Sequence, residues 1–318
     1  MNIAIIGSGK LIPTAMEAIL EVPELVPEAI YARPQSAAKA GALAERYHIR
    51  RVFTDYDALL ADPAIEAVYI ALVNTAHFEY AKKALLAGRH VLLEKPFTTT
   101  AADARELRAL ALQGDAFLME ALTPRHALTY RKMLELLPKV GAVRLVLANY
   151  SQYSSRYDAY LRGEVLPAFD PALQGGALFD LNIYNIGLMA GLFGRPETVV
   201  YRAHRGFNGV DTSGTLLAEY PGFTAALTAA KDSESPGYFQ VQGERGWLRI
   251  DGAPNEARAL SWSLPDGEGS WRPAPDKNRM VREFRDFCAL VAANDRAEMQ
   301  RELDKTVISM EIIEAALE

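Results

Sequence analysis

Cysteine and long hydrophobic runs are the scarcest features of this 318-residue sequence, and positive charge is not in excess. The single cysteine, Cys288, excludes an intrachain disulfide, so oxidative cross-links play no part in the expected fold. The longest continuous apolar run, Ala67–Val73, falls far short of the roughly 20 residues that span a bilayer, and no membrane partner is predicted. The chain starts with the strand-like MNIAIIG, which lacks the charged head and apolar core of a signal peptide. We therefore expect a cytoplasmic protein.

The balance of charge excludes a further class of partner. Lys and Arg total 34 against 40 Asp and Glu, and the formal net charge of −6 offers no basis for binding nucleic acid. Hydrophobic residues make up 50% of the chain and charged residues 23%, a globular composition that excludes a disordered protein. On a prior of roughly 150 residues per domain, the length indicates about two domains.

The first part of the chain, 1–122, alternates short apolar segments with helical ones. Strands are predicted at Ile3–Ile6, Ala29–Ala32, Ala67–Val73, His90–Leu93 and Phe117–Glu120, with helices between them. Strands that are apolar on both faces are typical of a parallel sheet covered by helices. We therefore expect a doubly wound α/β domain over 1–122.

The remainder, 123–318, has a different rhythm. Strands separated by turn residues are predicted at Ala142–Tyr153, Thr198–Arg205, Thr212–Tyr220, Thr224–Lys231, Tyr238–Gln242, Trp247–Ile250 and Leu260–Leu264. One apolar helix, Leu178–Leu192, interrupts them, and Phe284 and Phe287 stand at helical spacing near the C-terminus. This pattern predicts a second, α+β domain with a large, mainly antiparallel open sheet.

A short loop with two glycines follows the first predicted strand and consists of Gly7, Ser8, Gly9, Lys10 and Leu11. Gly7 permits a tight turn, Gly9 lets the backbone approach a pyrophosphate, and the following helix N-terminus offers N–H groups to the anion. Ile12 replaces the third glycine of the dinucleotide-binding pattern, but the position directly after the first strand strengthens the match. The loop predicts a dinucleotide phosphate site, with an ordinary strand-to-helix turn as the alternative.

The second strand is followed by Arg33, where an NAD-specific site would offer an acidic residue to the ribose 2′-hydroxyl. A guanidinium suits the oxygens of a 2′-phosphate instead. NADP is therefore the expected cofactor, with NAD possible, and a solvated surface arginine is the alternative for Arg33.

The tripeptide Glu94-Lys95-Pro96 follows the strand His90–Leu93, at the sheet edge where doubly wound folds bind ligands. Pro96 restricts Lys95 to extended backbone conformations and so limits the direction of its side chain. A lysine in a partly desolvated cleft near a cationic nicotinamide would have a lowered pKa and could hydrogen-bond the reacting oxygen. The alternative is a surface lysine in a β–α loop.

Asp180 and Tyr184 lie four residues apart in an apolar helix, so both project from one helix face. A carboxylate and a phenol together form a candidate proton-transfer pair, provided that a nearby cation lowers the tyrosine pKa from about 10. The alternative is an aspartate that caps a backbone group and a core tyrosine with a satisfied hydroxyl.

These motifs, in this order, resemble the glucose–fructose oxidoreductase / inositol dehydrogenase (Gfo/Idh/MocA) family over essentially the whole chain. The resemblance rests on the glycine loop, on ALVNTAH with Asn74 and His77, on AGRHVLLEKPF, and on GGALFDLNIY. AGRHVLLEKPF contains Lys95 and is the most specific segment. GGALFDLNIY contains Asp180 and Tyr184, which match the family's D-x-x-x-[HY] pair.

The resemblance implies a Rossmann domain followed by an α+β domain whose open sheet forms homo-oligomers, either dimers or tetramers. It also implies that Asn74 and His77 lie at the cofactor, that Glu94 lies near the nicotinamide ribose, and that Lys95 is the catalytic lysine.

Tyrosine rather than histidine at position 184 resembles the branch that contains dihydrodiol and xylose dehydrogenases, as does FLMEA followed by Arg125. The sequence departs from that branch at two positions. The aromatic residue expected near Thr123 is absent, and Asn182 stands where glycine is usual.

The resulting hypothesis is an NAD(P)-dependent oxidoreductase that moves hydride between nicotinamide and a secondary alcohol or carbonyl of a small-molecule sugar, polyol or cyclic diol. Tyr184 would exchange the hydroxyl proton, Lys95 would polarise the oxygen and keep Tyr184 ionisable, and Asp180 would orient the substrate. One alternative is a non-catalytic NADP-binding regulator on the same scaffold. Another is an NAD-dependent hydrolase or epimerase that oxidises its substrate transiently.

Two other residue types carry no predicted function. The 5 histidines are scattered without the spacing of a metal site, so no metal is predicted. Cys288 falls on the apolar face of a predicted helix, and we expect a buried, unreactive thiol there.

Overall fold

The computed structural model describes all 318 residues and divides into two compact units. The first unit comprises Met1–Ala121 and Asp276–Val307, and the second comprises Leu122–Pro275 and Ile308–Glu318. The sequence predicted one boundary near residue 122 and placed the whole C-terminal part in the second domain. In the structure, the segment Asp276–Val307 belongs to the first unit instead. The assignment of a cofactor role to one domain and a substrate role to the other stays a prediction.

The elements of the first unit are β1 (Asn2–Ile6), α1 (Ile12–Ile19), β2 (Val26–Tyr31), α2 (Ala37–Tyr47), β3 (Arg51–Phe53), α3 (Tyr56–Ala61), β4 (Ala67–Ile70), α4 (His77–Leu86), β5 (His90–Glu94), α5 (Ala101–Gln113) and β6 (Leu118–Ala121). All strand pairs are parallel, and the sheet order is β3-β2-β1-β4-β5-β6. This arrangement confirms the doubly wound α/β prediction. The strand order reverses between β1 and β4, and ligands of such sheets bind beyond the carboxyl ends of strands at a reversal.

The elements of the second unit are α6 (Thr123–His126), α7 (Leu128–Leu136), β7 (Val143–Ser151), α8 (Tyr157–Leu161), α9 (Ile183–Phe193), β8 (Thr198–Arg205), β9 (Asp211–Tyr220), β10 (Phe223–Ala230), β11 (Tyr238–Gly243), β12 (Gly246–Asp251), β13 (Ala259–Leu264) and β14 (Gly267–Trp271). They are followed by α10 (Val281–Ala292) in the first unit and by α11 (Arg296–Leu317), which begins in the first unit and ends in the second.

Packing explains why the C-terminal segment belongs to the first unit. Phe284 of α10 is fully buried, and its ring lies edge-on to Tyr69 of β4 with 5.1 Å between the ring centroids. At the start of α11, the Arg296 guanidinium donates hydrogen bonds to the carbonyl oxygens of Ala111 and Gly114 at the end of α5. The helical spacing of the apolar residues in α10 was visible in the sequence, but the sheet that they cover was not.

The second sheet has the order β14-β13-β12-β11-β7-β10-β9-β8. Its strand pairs are antiparallel except for β7 and β10, which run parallel. The prediction of a large, mainly antiparallel sheet is thus confirmed, and β14 is an additional strand. The helices α6, α7 and α8 and the short strand β3 of the first unit were also not predicted, because each is short and weakly patterned.

The predicted helix Leu178–Leu192 consists of two parts, a π-helical turn over Leu178–Asn182 and the α-helix α9. Two buried amides hold it on the sheet, because Asn182 Nδ2 donates to the carbonyl of Leu227 at 3.0 Å and Asn185 Nδ2 donates to that of Thr228 at 3.1 Å. The stretch Pro171–Phe193 is long and apolar enough to cross a membrane by composition alone, but 78% of its most apolar window is buried within the protein. It is the core helix of the second unit.

Candidate functional site

Gly7 lies between the carboxyl ends of β2 and β4. It has a positive φ of 133°, and its N–H donates to the carbonyl of Tyr31 at 2.9 Å. A Cβ on Gly7 would overlap the carbonyl oxygen of Ala71, just beyond β4. Both features require glycine, so the fold itself explains this residue.

Gly9 presents the opposite case. It is exposed, and a Cβ built on it would meet no atom within 4 Å. The fold therefore leaves open space beside this backbone, at the position where the dinucleotide pattern brings a pyrophosphate. Leu11 precedes α1 without a side-chain cap, but the Ile12 N–H already donates to the carbonyl of Gly9 at 3.1 Å and Pro13 has no N–H, so the N–H groups left for an anion are those of the loop itself. Such groups are suited to a phosphate, and the loop fits the phosphates of a dinucleotide.

The remaining residues of the loop differ in exposure. Ser8 and Leu11 are partly buried, and Lys10 is exposed. Ile12, which replaces the third glycine of the pattern, is fully buried in the first turn of α1. Its side chain therefore packs into the core and leaves the loop surface open.

Arg33 is exposed and precedes a 3₁₀ turn at Pro34–Ser36. Just before it, at the end of β2, Tyr31 belongs to a cluster with Tyr56 and Tyr80, and its hydroxyl lies 2.9 Å from that of Tyr80. Burial raises the pKa of Tyr31, so the phenol stays neutral. The exposed guanidinium beside this neutral cluster fits a 2′-phosphate ligand and equally a solvated arginine.

His77 links the two loops that follow β4 and β5. The side chain is buried, with Nδ1 2.8 Å from the carbonyl oxygen of Pro96 and Nε2 3.3 Å from that of Leu72. Burial lowers the pKa of His77, which favours the neutral ring. The contacts show that this ring positions the loop that carries Lys95. Cofactor contact by His77 stays a prediction.

Glu94 is a buried carboxylate at the end of β5. Tyr69 donates its hydroxyl to Oε1 at 2.6 Å, and the backbone N–H of Lys95 donates to Oε2 at 3.2 Å. Burial raises the pKa of Glu94, and these two hydrogen bonds oppose that shift. The sequence did not reveal the role of Tyr69, although a hydroxyl within the otherwise apolar AVYIALV run was a signal.

The other two candidates in this region are partly buried. Asn74 begins a 3₁₀ turn that leads into α4, and Lys95 follows β5 with a cis peptide bond to Pro96. Lys95 is thus neither a core residue nor a fully solvated one. The part of the sheet edge that bears Glu94 and Lys95 is held by Tyr69 and His77.

In the second unit, Asp180 lies in the π-helical turn and accepts a hydrogen bond at Oδ2 from Lys231 Nζ at 2.8 Å. Lys231 directly follows β10, is almost completely buried, and also donates to the carbonyl of Ala168 at 2.5 Å. Tyr184, in the first turn of α9, is buried, and the centroid of its ring lies 5.7 Å from that of the Tyr150 ring. The candidate carboxylate and phenol are both held by neighbours that sequence reasoning missed. π-helical turns are frequent at functional sites.

Asp211 fixes the start of the turn that carries Asp180. Its Oδ2 accepts the backbone N–H of Leu178 at 2.7 Å and the hydroxyl of Tyr201 at 2.6 Å. A Cβ on Gly176, whose φ is 113°, would overlap Oδ1 of this carboxylate. Burial raises the pKa of Asp211, and the two donors oppose the shift. Because Gly176 has no Cβ, the buried carboxyl group of Asp211 can lie directly beside it.

The structure contains no group of three or more His, Cys, Asp or Glu side chains that could hold a metal ion. Cys288 lies buried in α10, and burial raises the pKa of its thiol to about 11. At neutral pH this thiol carries its proton, so it is a weak nucleophile.

Comparisons with known proteins agree with this arrangement. Residues 1–121 match the model described as an oxidoreductase family with an NAD-binding Rossmann fold, and residues 130–249 match the GFO/IDH/MocA C-terminal domain. A scyllo-inositol 2-dehydrogenase (NADP+) of Bacillus subtilis is 33% identical over 317 residues, which cover 99% of this chain and 96% of that relative. A D-xylose 1-dehydrogenase (NADP+) of Haloferax volcanii is 29% identical over 325 residues, covering 100% and 97%.

A solved structure supports the fold. The 3-ketoreductase of Actinomadura kijaniata, in complex with NADP and TDP-benzene, superposes with a TM-score of 0.83 at 23% identity and covers 99% of this chain and 98% of that one. The sequence matches extend over both units. This chain therefore belongs to the glucose–fructose oxidoreductase / inositol dehydrogenase (Gfo/Idh/MocA) family and is an NAD(P)-dependent dehydrogenase or reductase.

Proposed function

We propose that this enzyme prefers NADP and transfers hydride between nicotinamide C4 and the secondary alcohol or carbonyl carbon of a sugar, polyol or cyclic diol. The observation that carries the proposal is the Asp180–Tyr184 pair. A carboxylate bound to a buried lysine and a phenol packed against Tyr150 stand four residues apart in the second unit. A regulator that only senses the cofactor needs no such pair.

When bound, the nicotinamide supplies the hydride acceptor or donor. In the direction of alcohol oxidation, the substrate carbon gives up hydride and the hydroxyl gives up its proton. In our proposal Tyr184 receives this proton as the phenolate and becomes the neutral phenol, while the Lys95 ammonium group keeps Tyr184 ionisable and donates a hydrogen bond to the reacting oxygen. Asp180 accepts a hydrogen bond from a substrate hydroxyl and so sets the orientation of the ring.

Three features support the finer assignments. Arg33 is exposed at the end of β2, where no acidic residue is present to select a free 2′-hydroxyl. The two curated relatives described above are named as NADP+ enzymes. Their names specify scyllo-inositol and D-xylose, both polyhydroxylated rings, which suits a site with a carboxylate acceptor.

The test is a fluorescence titration with NADPH and NADH, followed by a screen for NADP+ reduction with scyllo-inositol, D-xylose and trans-1,2-cyclohexanediol. We expect tighter binding of NADPH and turnover of at least one compound. Binding without turnover across a wider panel of sugars and diols would instead favour the regulator. Stoichiometric cofactor that co-purifies, with no net reduction, would favour the hydrolase or epimerase.

We also propose that the chain forms homo-oligomers through the open face of the second sheet. Val200 of β8 and Leu217 of β9 are paired in register and are 41% and 44% exposed. Larger exposed apolar patches mark protein–protein interaction sites, and this pair is the observation that leads us to this sheet face. Light scattering of the purified enzyme should give a dimer or tetramer, and a monomer would contradict the proposal. The cytoplasmic location stays a prediction.

A further inference from the structure

Lys231 is an unusual residue in the second unit because lysine is rarely fully buried unless it is paired. Its side chain is 2% exposed, whereas that of its partner Asp180 is 37% exposed. The ammonium group is therefore withdrawn from water while the carboxylate remains accessible. A buried cation of this kind needs a fixed set of acceptors to offset its lost hydration.

The surroundings of Lys231 supply those acceptors. Besides Asp180, its Nζ contacts the carbonyl oxygen of Ala168 at 2.5 Å and lies 4.6 Å from the ring centroid of Phe169. Phe169 is itself fully buried and stacks on Tyr160 with centroids 4.9 Å apart. The aromatic face adds a cation–π attraction to the two oxygen contacts.

The backbone of Lys231 is held as firmly as its side chain. Its N–H donates to the carbonyl of Thr212 at 2.7 Å, and its carbonyl accepts the N–H of Ser154 at 2.9 Å. The Lys231 backbone is therefore hydrogen-bonded to Thr212 on one side and to Ser154 on the other, which fixes the point from which its side chain extends. Asp180, in contrast, lies in a π-helical turn, where the regular helical hydrogen bonding is altered.

We propose that Lys231 is a positioning residue that holds the Asp180 carboxylate in an ion pair and fixes its direction. Asp180 then acts toward the substrate as a hydrogen-bond acceptor, and proton exchange falls to Tyr184. The catalytic part of this inference rests on the proposed function. The ion pair itself does not, and it can be tested without a substrate.

The first experiment is a double-mutant cycle on thermal unfolding of the full chain, with Lys231→Met, Asp180→Asn and the combined variant. Each single change removes one partner of the pair, and we expect a lower unfolding midpoint by roughly 5 °C. The combined variant should lose clearly less than the two single losses together, because the shared interaction is lost only once. If the loss of the combined variant equals the sum of the two single losses, Lys231 and Asp180 do not interact, and the ion pair is contradicted.

The second experiment measures kcat and KM with the compound from the proposed panel that the wild-type enzyme oxidises. Lys231→Met should lower kcat by about 10–100-fold, because the Asp180 carboxylate would no longer be held in the direction that orients the substrate. The KM for NADP+ should stay within about twofold of the wild-type value. Lys231→Arg, which keeps the charge, should restore part of the rate. In the Asp180→Asn background, Lys231→Met should cause no further loss beyond about twofold. A full additional loss would overturn the positioning role.

Tyr220→Phe is the matched control. It removes a hydrogen bond between the Tyr220 hydroxyl and the carbonyl of Gly194, which caps the C-terminal end of α9, the helix that follows the turn with Asp180. This variant should lose stability and keep its kcat within about twofold, whereas an equal loss of kcat would make the effect of Lys231 merely structural. If the wild-type enzyme oxidises no compound of the panel, the proposed function fails, and the unfolding cycle alone decides the inference.

Discussion

The hydrogen bond from Tyr69 to Glu94 offers a quantitative test of how the Lys95 loop is supported. Tyr69→Phe keeps the ring that packs on Phe284 and removes only the hydroxyl, which donates to Glu94 Oε1 at 2.6 Å. A hydrogen bond to a charged group contributes about 1.5–3 kcal/mol, so we expect a loss near 2 kcal/mol at pH values above the folded-state pKa of Glu94, where the group is ionised. For a domain of this size that loss lowers the unfolding midpoint by roughly 4–8 °C.

The loss should depend on pH in a defined sense. Burial raises the pKa of Glu94 in the folded state above its unfolded value. A group of this kind contributes stability below its unfolded pKa and loses that contribution as the pH rises through the folded pKa. Removal of the Tyr69 donor raises the folded pKa further, since this donor favours the carboxylate. The difference between wild type and Tyr69→Phe should therefore be largest above the folded-state pKa of Glu94 and shrink as the pH falls through that pKa.

Tyr56→Phe provides the matched control in the same unit. The Tyr56 hydroxyl donates to the backbone carbonyl of Tyr80 at 3.0 Å, so its removal breaks a bond to a neutral acceptor. That loss should be about 1 kcal/mol and independent of pH between 4 and 7. Thermal unfolding of both variants across this range is the assay. Equal, pH-independent losses for the two variants would refute the reasoning about a charged Glu94.

Four further predictions concern the reaction, the cofactor and the stability of the glycine loop. Lys95→Ala should lower kcat by about 100-fold or more, and a near-normal rate in the NADP+ assay would contradict its role. Arg33→Ala should raise the KM for NADP+ much more than that for NAD+, so equal effects on both would exclude the 2′-phosphate contact. Gly7→Ala should destabilise the fold by at least about 2 kcal/mol, because its Cβ would overlap Ala71. Gly9→Ala should leave the unfolding midpoint unchanged and weaken NADPH binding in the fluorescence titration, whereas unchanged binding would place the phosphates elsewhere.

Local signals account for what could be predicted from the sequence. The apolar strands of the first sheet, the glycine loop that follows β1, and the alternation of strands in the second unit all lie within short windows. The family, the fold class and the NAD(P) cofactor follow from such windows and are confirmed. The roles of Lys95, Asp180 and Tyr184 were also inferred from short motifs, and they stay predictions.

The sequence analysis did not predict short, weakly patterned elements, because they lack such local signals. Strand β3 has only Arg51–Phe53, and α6 has only Thr123–His126, so neither presents a period long enough to recognise. The parallel pairing of β7 with β10 was likewise invisible, since alternation along one strand carries no information about the direction of its neighbour.

The sequence by itself determined the two-part organisation, the sheet types and the candidate residues, because periodicity and turn chemistry act over a few neighbouring positions. Tertiary structure alone decided which side chains hold those candidates in place. Tyr69 reaches Glu94 across 25 positions of the chain, and Lys231 reaches Asp180 across 51. Topology and core packing set such pairs, and a buried lysine or hydroxyl acquires its partner only when strands distant in sequence become neighbours.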